Sequence, residues 1–295
     1  MDNLILRPRL NDYHKILLNQ ERTDFFIPFL DEDLPLYVDP FLLWKSDASL
    51  DTSLHGTLVD SFNYLGALYS KGDEAEAMDI LISASECSEV GLGTSSNKIG
   101  KRIGKTSANQ ILSLFKDIPQ LKECGFTHFE EIQLLVEGIS KDRISDISCS
   151  LLSNFLIDYT QDQCIRHGIP MSMVKTEIFD PKQKKFILNS KELPINPKTN
   201  SPIWLIPKRW LRQMPWMNPD DFFNGYLPSE NPTLKLSRPE IIDYNRLHYL
   251  QVEGYTKQKE ASVQELRCDP LFKQIPIASA KRTMSDIRKL SRKSR

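Results

Sequence analysis

Two kinds of pattern alternate along the chain: helical stripes and short apolar runs. Leu58, Phe62, Leu65 and Tyr69 recur every three or four residues, and Ala77, Ile80 and Leu81 do the same within KGDEAEAMDIL. That spacing is the period of an amphipathic helix. Lys71-Gly72 separates the two stripes, which predicts a helical hairpin over 55–90. The clearest helical stripe lies over 145–166, where Ile147, Leu151, Phe155 and Tyr159 step by four and Leu152 and Leu156 widen the face. Gly168-Ile169-Pro170 ends it. Shorter helices are predicted over 9–22 and over SANQILSLFK, the latter capped by Thr106 or Ser107. Ser237 and Glu240 form a capping-box pattern. It predicts a last long helix, with Gly254 as a weak point and Asp269-Pro270 closing it.

The intervening stretches read differently. DFFIPFLDEDLPLYVDPFLLW is cut by Pro28, Pro35 and Pro40. Proline removes a ladder donor and is excluded from helix interiors, so short extended pieces are expected, then a helix opened by Asp39 as cap and Pro40 as first residue. Residues 127–137, which end in EIQLLVE, suit a strand or a short helix. MSMVKTEIF, KKFILNS and PIWLIPK are strand-like. The order predicts an α+β protein, predominantly helical, with a small mixed sheet in the middle of the chain. The expected boundaries are a main domain over 1–235, a C-terminal helical segment over 236–280 and a flexible basic tail over 281–295.

The 295 residues are 40% hydrophobic and 26% charged, an ordinary globular composition. No run of 18 apolar residues occurs, so no membrane span is expected, and MDNLILRPRLNDYHK lacks the apolar core of a secretory leader. Cys87, Cys124, Cys149, Cys164 and Cys268 are scattered without metal-ligand spacing. They read as reduced thiols of a cytoplasmic protein. The net charge of −1 hides an asymmetry: KRTMSDIRKLSRKSR carries seven Lys/Arg against one Asp, a net of +6, leaving −7 for the preceding 280 residues. Such a tail can bind phosphate backbones or an acidic partner, or simply be a solvated end.

Candidate chemistry centres on two segments. VGLGTSSNKIGKRIGKT spaces Lys98, Lys101, Arg102 and Lys105 with glycines, which can lay backbone N–H groups and cations along phosphates. It is not a Walker A loop, because the position five before Gly104 is Ile99. The second segment, EIQLLVEGISKDRISDI, supplies Glu137, Asp142 and Asp146 with Lys141 beside them. Hydrolysis of a phosphodiester with Mg²⁺ or Mn²⁺ needs carboxylates converging on a hard cation and a lysine to stabilise charge, and Asp142 and Asp146 share a helix face. Capping and the helix dipole explain part of the same pattern. Arg9 and His14 have the R-x4-H spacing of HEPN ribonucleases, although Leu10 stands where those sites usually carry a polar residue. Trp204, Trp210 and Trp216, interleaved with Lys208, Arg209 and Arg212, suit either base stacking or a core edge.

GISKDRISDI, continuing through LLSNFLIDYTQDQCIRHGIP, resembles a set of uncharacterised bacterial proteins associated with mobile elements and phage defence. They carry a similar G-x-x-x-D-R-I-S-D turn before a helix ending in YTQ and a cysteine. LYVDPFLLW and VGLG…GKRIG are similar as well, and the matched text covers about a third of the chain. The matching positions are Asp39, Gly91, Gly93, Glu137, Asp142, Arg143, Ser145 and Asp146. The resemblance implies a bacterial effector or partner subunit. Together the readings predict a metal-dependent nuclease-like effector of antiphage defence, with Glu137, Asp142 and Asp146 on Mg²⁺ or Mn²⁺ and the four cations of the glycine-rich segment on nucleic acid. The alternatives are a non-catalytic partner of a defence complex and a toxin acting on a small nucleotide.

Overall fold

The computed structural model describes residues 8–93 and 100–263. Lys98, Cys268 and the basic tail lie outside the described residues. The architecture is the expected α+β, predominantly helical. After a short α1 (Leu10–His14), β1 (Tyr37–Val38) leads into α2 (Pro40–Trp44), and the helical hairpin follows as α3 (Ser49–Lys71) and α4 (Glu74–Ala84). Gly72 closes α3 in the left-handed region at φ 109°, where a side chain would be strained. α5 (Lys105–Asp117) crosses α3 where Gly66 lies against the ring of Phe115, a contact that leaves no room for a Cβ.

α6 (Pro119–Cys124) follows, and Phe129–Glu131 then turns into α7 (Ile132–Leu135). The EIQLL run is therefore helical. A short apolar run has no period of its own to distinguish strand from helix. The long stripe over 145–166 is two helices, α8 (Lys141–Leu151) and α9 (Ser153–His167), stepped at Leu152. The step places Ser153, whose Oγ accepts the Phe179 N–H at 2.8 Å.

The strands make two antiparallel pairs. β2 (Ser172–Asp180) and β3 (Lys185–Leu193) form a hairpin in register from Ser172↔Leu193 to Asp180↔Lys185, packed on α9. β4 (Leu211–Arg212) pairs with β1. PIWLIPK forms no strand: Pro202 and Pro207 each make only a single bridge, and Ile203 to Ile206 are buried as an extended core segment.

α10 (Pro219–Asp221) and α11 (Leu227–Glu230) lead to α12 (Arg238–Leu247), opened by the expected Ser237–Glu240 capping box, and to α13 (Leu250–Ser262). These helices share the main core, to which they contribute Ile242, Tyr249, Val252, Tyr255 and Val263. They are also tied by buried polar groups. Asn245 and Arg246 donate to the Leu134 and Leu135 carbonyls, each at 2.7 Å. Glu131 accepts from Tyr249 Oη and, at 2.5 Å, from Thr256 Oγ1. His128 Nε2 lies 2.9 Å from Glu260 Oε1, with Glu130 on the other ring nitrogen at 3.7 Å, Phe41 stacked on its face and His55 beside it.

The joint should respond to pH. Burial pushes the Glu131 carboxyl up to about 7, against the hydrogen bonds from Thr256 and Tyr249. Burial likewise pushes Asp39, which accepts the Trp216 N–H, up to about 7. Burial pulls His128 down, but Glu130 and Glu260 outweigh it and leave the imidazole above its ordinary value. All three bind protons more tightly folded than unfolded. Their contribution is complete below the unfolded values and is lost as pH rises through the folded ones. Asp221, held down by Lys259, works in the opposite sense at more acid pH, and His55, which burial lowers, opposes the fall within the window as one group against three. The thermal midpoint is therefore expected to fall between pH ~5 and ~8. Glu131→Gln, which keeps an acceptor for one of the two hydroxyls and offers an amide donor to the other, should flatten that fall. Melting curves followed by circular dichroism across the range check it, and equal slopes for the two proteins would contradict it.

Candidate functional site at the glycine-rich segment and the start of α8

α8 begins after Ser140, which is extended and makes no side-chain cap. Asp142 stands in its first turn, and one turn further Ser145 and Asp146 are buried. Ser145 Oγ accepts the Val38 N–H at 3.0 Å, which fastens β1 to the helix. Arg143 projects between acids from two elements: its Nη1 lies 3.2 Å from both Glu86 Oε2 and Asp146 Oδ2 and also donates to the Ser85 carbonyl.

The described ends of the glycine-rich segment, up to Gly93 and from Gly100, lie against the same group. Gly91 and Gly93 both have positive φ, and their backbone groups bond to Leu34. A Cβ at Gly93 would stand 2.5 Å from Asp142 Oδ1, and one at Gly100 would overlap the Glu86 carboxylate. Ile103 N–H donates to Ser85 Oγ at 2.9 Å, which anchors the far end. Two segments some forty residues apart thus form one face, and at Gly93, with φ 118°, a side chain would be strained as well as crowded by Asp142.

The electrostatics are those of crowded acids. Burial, then the Asp142 and Glu86 charges, push the Asp146 carboxyl well above its ordinary value, while Arg143 and the Cys87 N–H pull the other way. Burial also raises Asp142, against Arg143 and Lys141. Glu89, next along, is raised by burial. Cys87 and Cys149 meet beneath this group, and burial pushes the Cys87 thiol up, away from the reactive thiolate.

The predicted site residues divide. Asp142 and Asp146 come together. Glu137 is exposed in the turn before Gly138, and it makes no hydrogen bond or ion pair with either. Lys141 makes no ion pair with Asp142 or Asp146: its Nζ donates to the Gln213 carbonyl at 3.1 Å and lies over the Tyr37 ring. Lys101, Arg102 and Lys105 are exposed, with Arg102 3.7 Å from Glu177. Glu86 and Glu89, which precede the glycine-rich segment, read from the sequence either as ligands or as helix-surface acids, with the surface reading favoured; the structure brings Glu86 to Arg143. Among the described residues, no three His, Cys, Asp or Glu side chains are placed to hold a metal ion.

Other candidates resolve into framework. Asp39 caps α2 through Phe41 N–H at 3.1 Å and takes the Trp216 N–H at 2.8 Å. Arg209 grips buried Asp51 with two bonds of 2.7 Å, and Trp204 and Trp210 are buried, so the tryptophan-rich segment is a core edge. Arg9 is buried over the Phe29 ring rather than presented beside His14.

The model of a domain of unknown function, DUF8370, matches residues 15–218, and the chain belongs to that family. The match contains the whole of the site just described. No curated protein and no solved structure matches the chain.

Arg143 compensates at least two acids, so removing it should cost more than removing either partner. Arg143→Met is expected to destabilise the protein by about 3 kcal/mol, because it strands buried charge. Adding Asp146→Asn to that variant should restore part of the loss. Urea unfolding of the single and double variants checks this. A double variant no more stable than the single would show that the pair is not the cause.

Proposed function

We propose that the chain is a metal-dependent nuclease-like effector that works in antiphage defence. The observation that carries the reading is the apposition of Gly93 and Gly100 with the Asp142 and Glu86 carboxylates. It sets the described ends of the glycine-rich segment against a group of carboxylates in which Asp142 and Asp146 are held above their ordinary values. Crowded, desolvated acids gain most from a cation. Mg²⁺ is commonly held by only one or two carboxylates and completed by water and substrate phosphate oxygens. Asp142 and Asp146 fit that requirement, with Glu86 in the place expected for Glu137. A bound Mg²⁺ or Mn²⁺ would supply an activated water and a clamp on the phosphate. Lys101, Arg102 and Lys105 would track the strand, and Arg143 would hold Asp146 in position. The defence context rests on the resemblance carried by the G-x-x-x-D-R-I-S-D segment.

One observation favours a second reading, a non-catalytic nucleic-acid-binding partner of a defence complex. Arg143 already pairs with Glu86 and Asp146, and a pair so compensated needs no metal.

Purified protein incubated with plasmid, single-stranded DNA and RNA distinguishes them, with Mg²⁺ or Mn²⁺ and with EDTA. The nuclease reading expects cleavage that EDTA abolishes and that Asp142→Asn lowers by about a hundredfold or more, the usual scale for removing a group that acts on the transition state. Cleavage that survives Asp142→Asn and Asp146→Asn would overturn it. Retarded migration without cleavage, weakened by Lys101→Ala and Arg102→Ala, would favour the partner reading.

A further inference from the structure

The acids at the start of α8 already hold a cation of their own. Arg143 stands one residue after Asp142 and three before Asp146. A single atom, Nη1, lies 3.2 Å from both Glu86 Oε2 and Asp146 Oδ2 and also donates to the Ser85 carbonyl. One positive group thus bridges carboxylates from two elements, as a shared Mg²⁺ would at oxygen distances of about 2.0–2.1 Å. Asp146 is buried and also takes the Cys87 N–H, so the bond to Arg143 completes its partners. Asp142 differs. It is partly exposed, and among the described residues it has no hydrogen bond or ion pair; Arg143 and Lys141 reach it only through their charges. Arg143 therefore compensates the inner pair and leaves the outer acid open. The Arg143 side chain is itself 18% exposed, so rotation of its own stem takes it to solvent with the α8 backbone in place.

We propose that Arg143 is a built-in competitor for the divalent cation, a regulation of the site that rests on the metal-dependent reading above. The site is closed while the guanidinium bridges Glu86 and Asp146. It opens when Arg143 leaves and a divalent cation takes Asp142 together with Asp146. The two cations exclude each other for two reasons. Asp146 Oδ2 is the contact of Arg143 and the oxygen a metal shared with Glu86 would need. A guanidinium left in place would also repel a divalent ion at contact distance, in a partly desolvated group where charges are poorly screened. The bond that positions Asp146 in the closed site is thus the one that blocks it, and the affinity for metal is set by an exchange of cations rather than by the carboxylates alone.

Titration with Mn²⁺ followed by electron paramagnetic resonance reads the competition without any activity. Arg143→Gln is expected to bind Mn²⁺ about tenfold more tightly than the parent, the scale of one charge-assisted bond that no longer has to break. Adding Asp142→Asn should abolish the gain. Removing Arg143 strands buried acids, so a charge-balanced comparison accompanies it. Glu86→Gln with Arg143→Gln removes one charge of each sign and keeps Asp142 and Asp146, and it should bind Mn²⁺ more tightly than Glu86→Gln alone. Mn²⁺ should also raise the melting temperature of Arg143→Gln more than that of the parent, as expected of a ligand that binds the folded variant better. Equal affinity with and without Arg143 in both comparisons overturns the proposal and leaves the nuclease reading standing. Weaker binding without Arg143 overturns it as well and makes Arg143 a residue that positions the metal. If no variant binds Mn²⁺ the proposal falls, and the nuclease reading falls with it only where EDTA-sensitive cleavage is absent too.

Discussion

The fold is organised by a helix that buries polar side chains. Ser145, Asp146 and Ser148 of α8 are almost wholly inaccessible, and a buried polar group must be satisfied or it destabilises the protein. Each has a distinct solution. Ser148 bonds back to the Ile144 carbonyl of its own helix. Ser145 takes the N–H of Val38 in β1, and Asp146 takes Arg143 and the Cys87 N–H that follows α4. Two of the three solutions reach other elements, so they fix where β1 and the end of α4 sit around α8. Hydrophobic burial drives the collapse but is indifferent to register. These few directional bonds select one arrangement, and the glycine-rich segment inherits its position from it.

A second buried polar group does the same for the C-terminal helices. Glu131 and His128 lie in one turn, and their partners Tyr249, Thr256 and Glu260 come from the last helical segment. Asp39 reaches across to Trp216. The family match ends at residue 218, yet the joint between the matched region and the helices beyond it is among the most polar parts of the core. Such a joint is specific in geometry and weaker than an apolar one of equal area, because each desolvated carboxylate offsets part of the gain. The C-terminal helices are consequently placed with precision but held by groups that titrate near neutrality.

Legibility in the sequence followed the range of the interactions. The α3–α4 hairpin is readable because its stripe and Gly72 are local. Asp39-Pro40 and Ser237–Glu240 are readable because a cap involves residues within three of one another. The β2–β3 hairpin is readable for the same reason. The step at Leu152 is not, because it serves Phe179, far along the chain. PIWLIPK reads as a strand because its side chains are those of one, but two prolines withhold the ladder donors. In the candidate site, Asp142 and Asp146 are recognisable as a pair on one helix face. Glu86 is not recognisable as their companion, since only the folded chain brings the end of α4 to Arg143. Glu137 looks equivalent to Glu86 in one dimension, and the turn at Gly138 leaves it in solvent.

The start of α8 illustrates why adjacent residues can serve different ends. Successive helical positions differ by about 100°, so Lys141 and Asp142 face different neighbours although they are covalently linked. Asp142 meets a backbone stripped of side chains, where a carboxylate is crowded by other acids. Lys141 meets a carbonyl, a thioether and an aromatic face, which hold a cation without neutralising it. Lys141, engaged with the Gln213 carbonyl and the Tyr37 ring, reaches Asp142 only through its charge, and Arg143 occupies the place beside Asp146. The polar surplus in KDRISD is therefore best understood as three separate demands on one turn: Lys141 for one face, Asp142 for another, and Arg143 with Ser145 and Asp146 for the core between them.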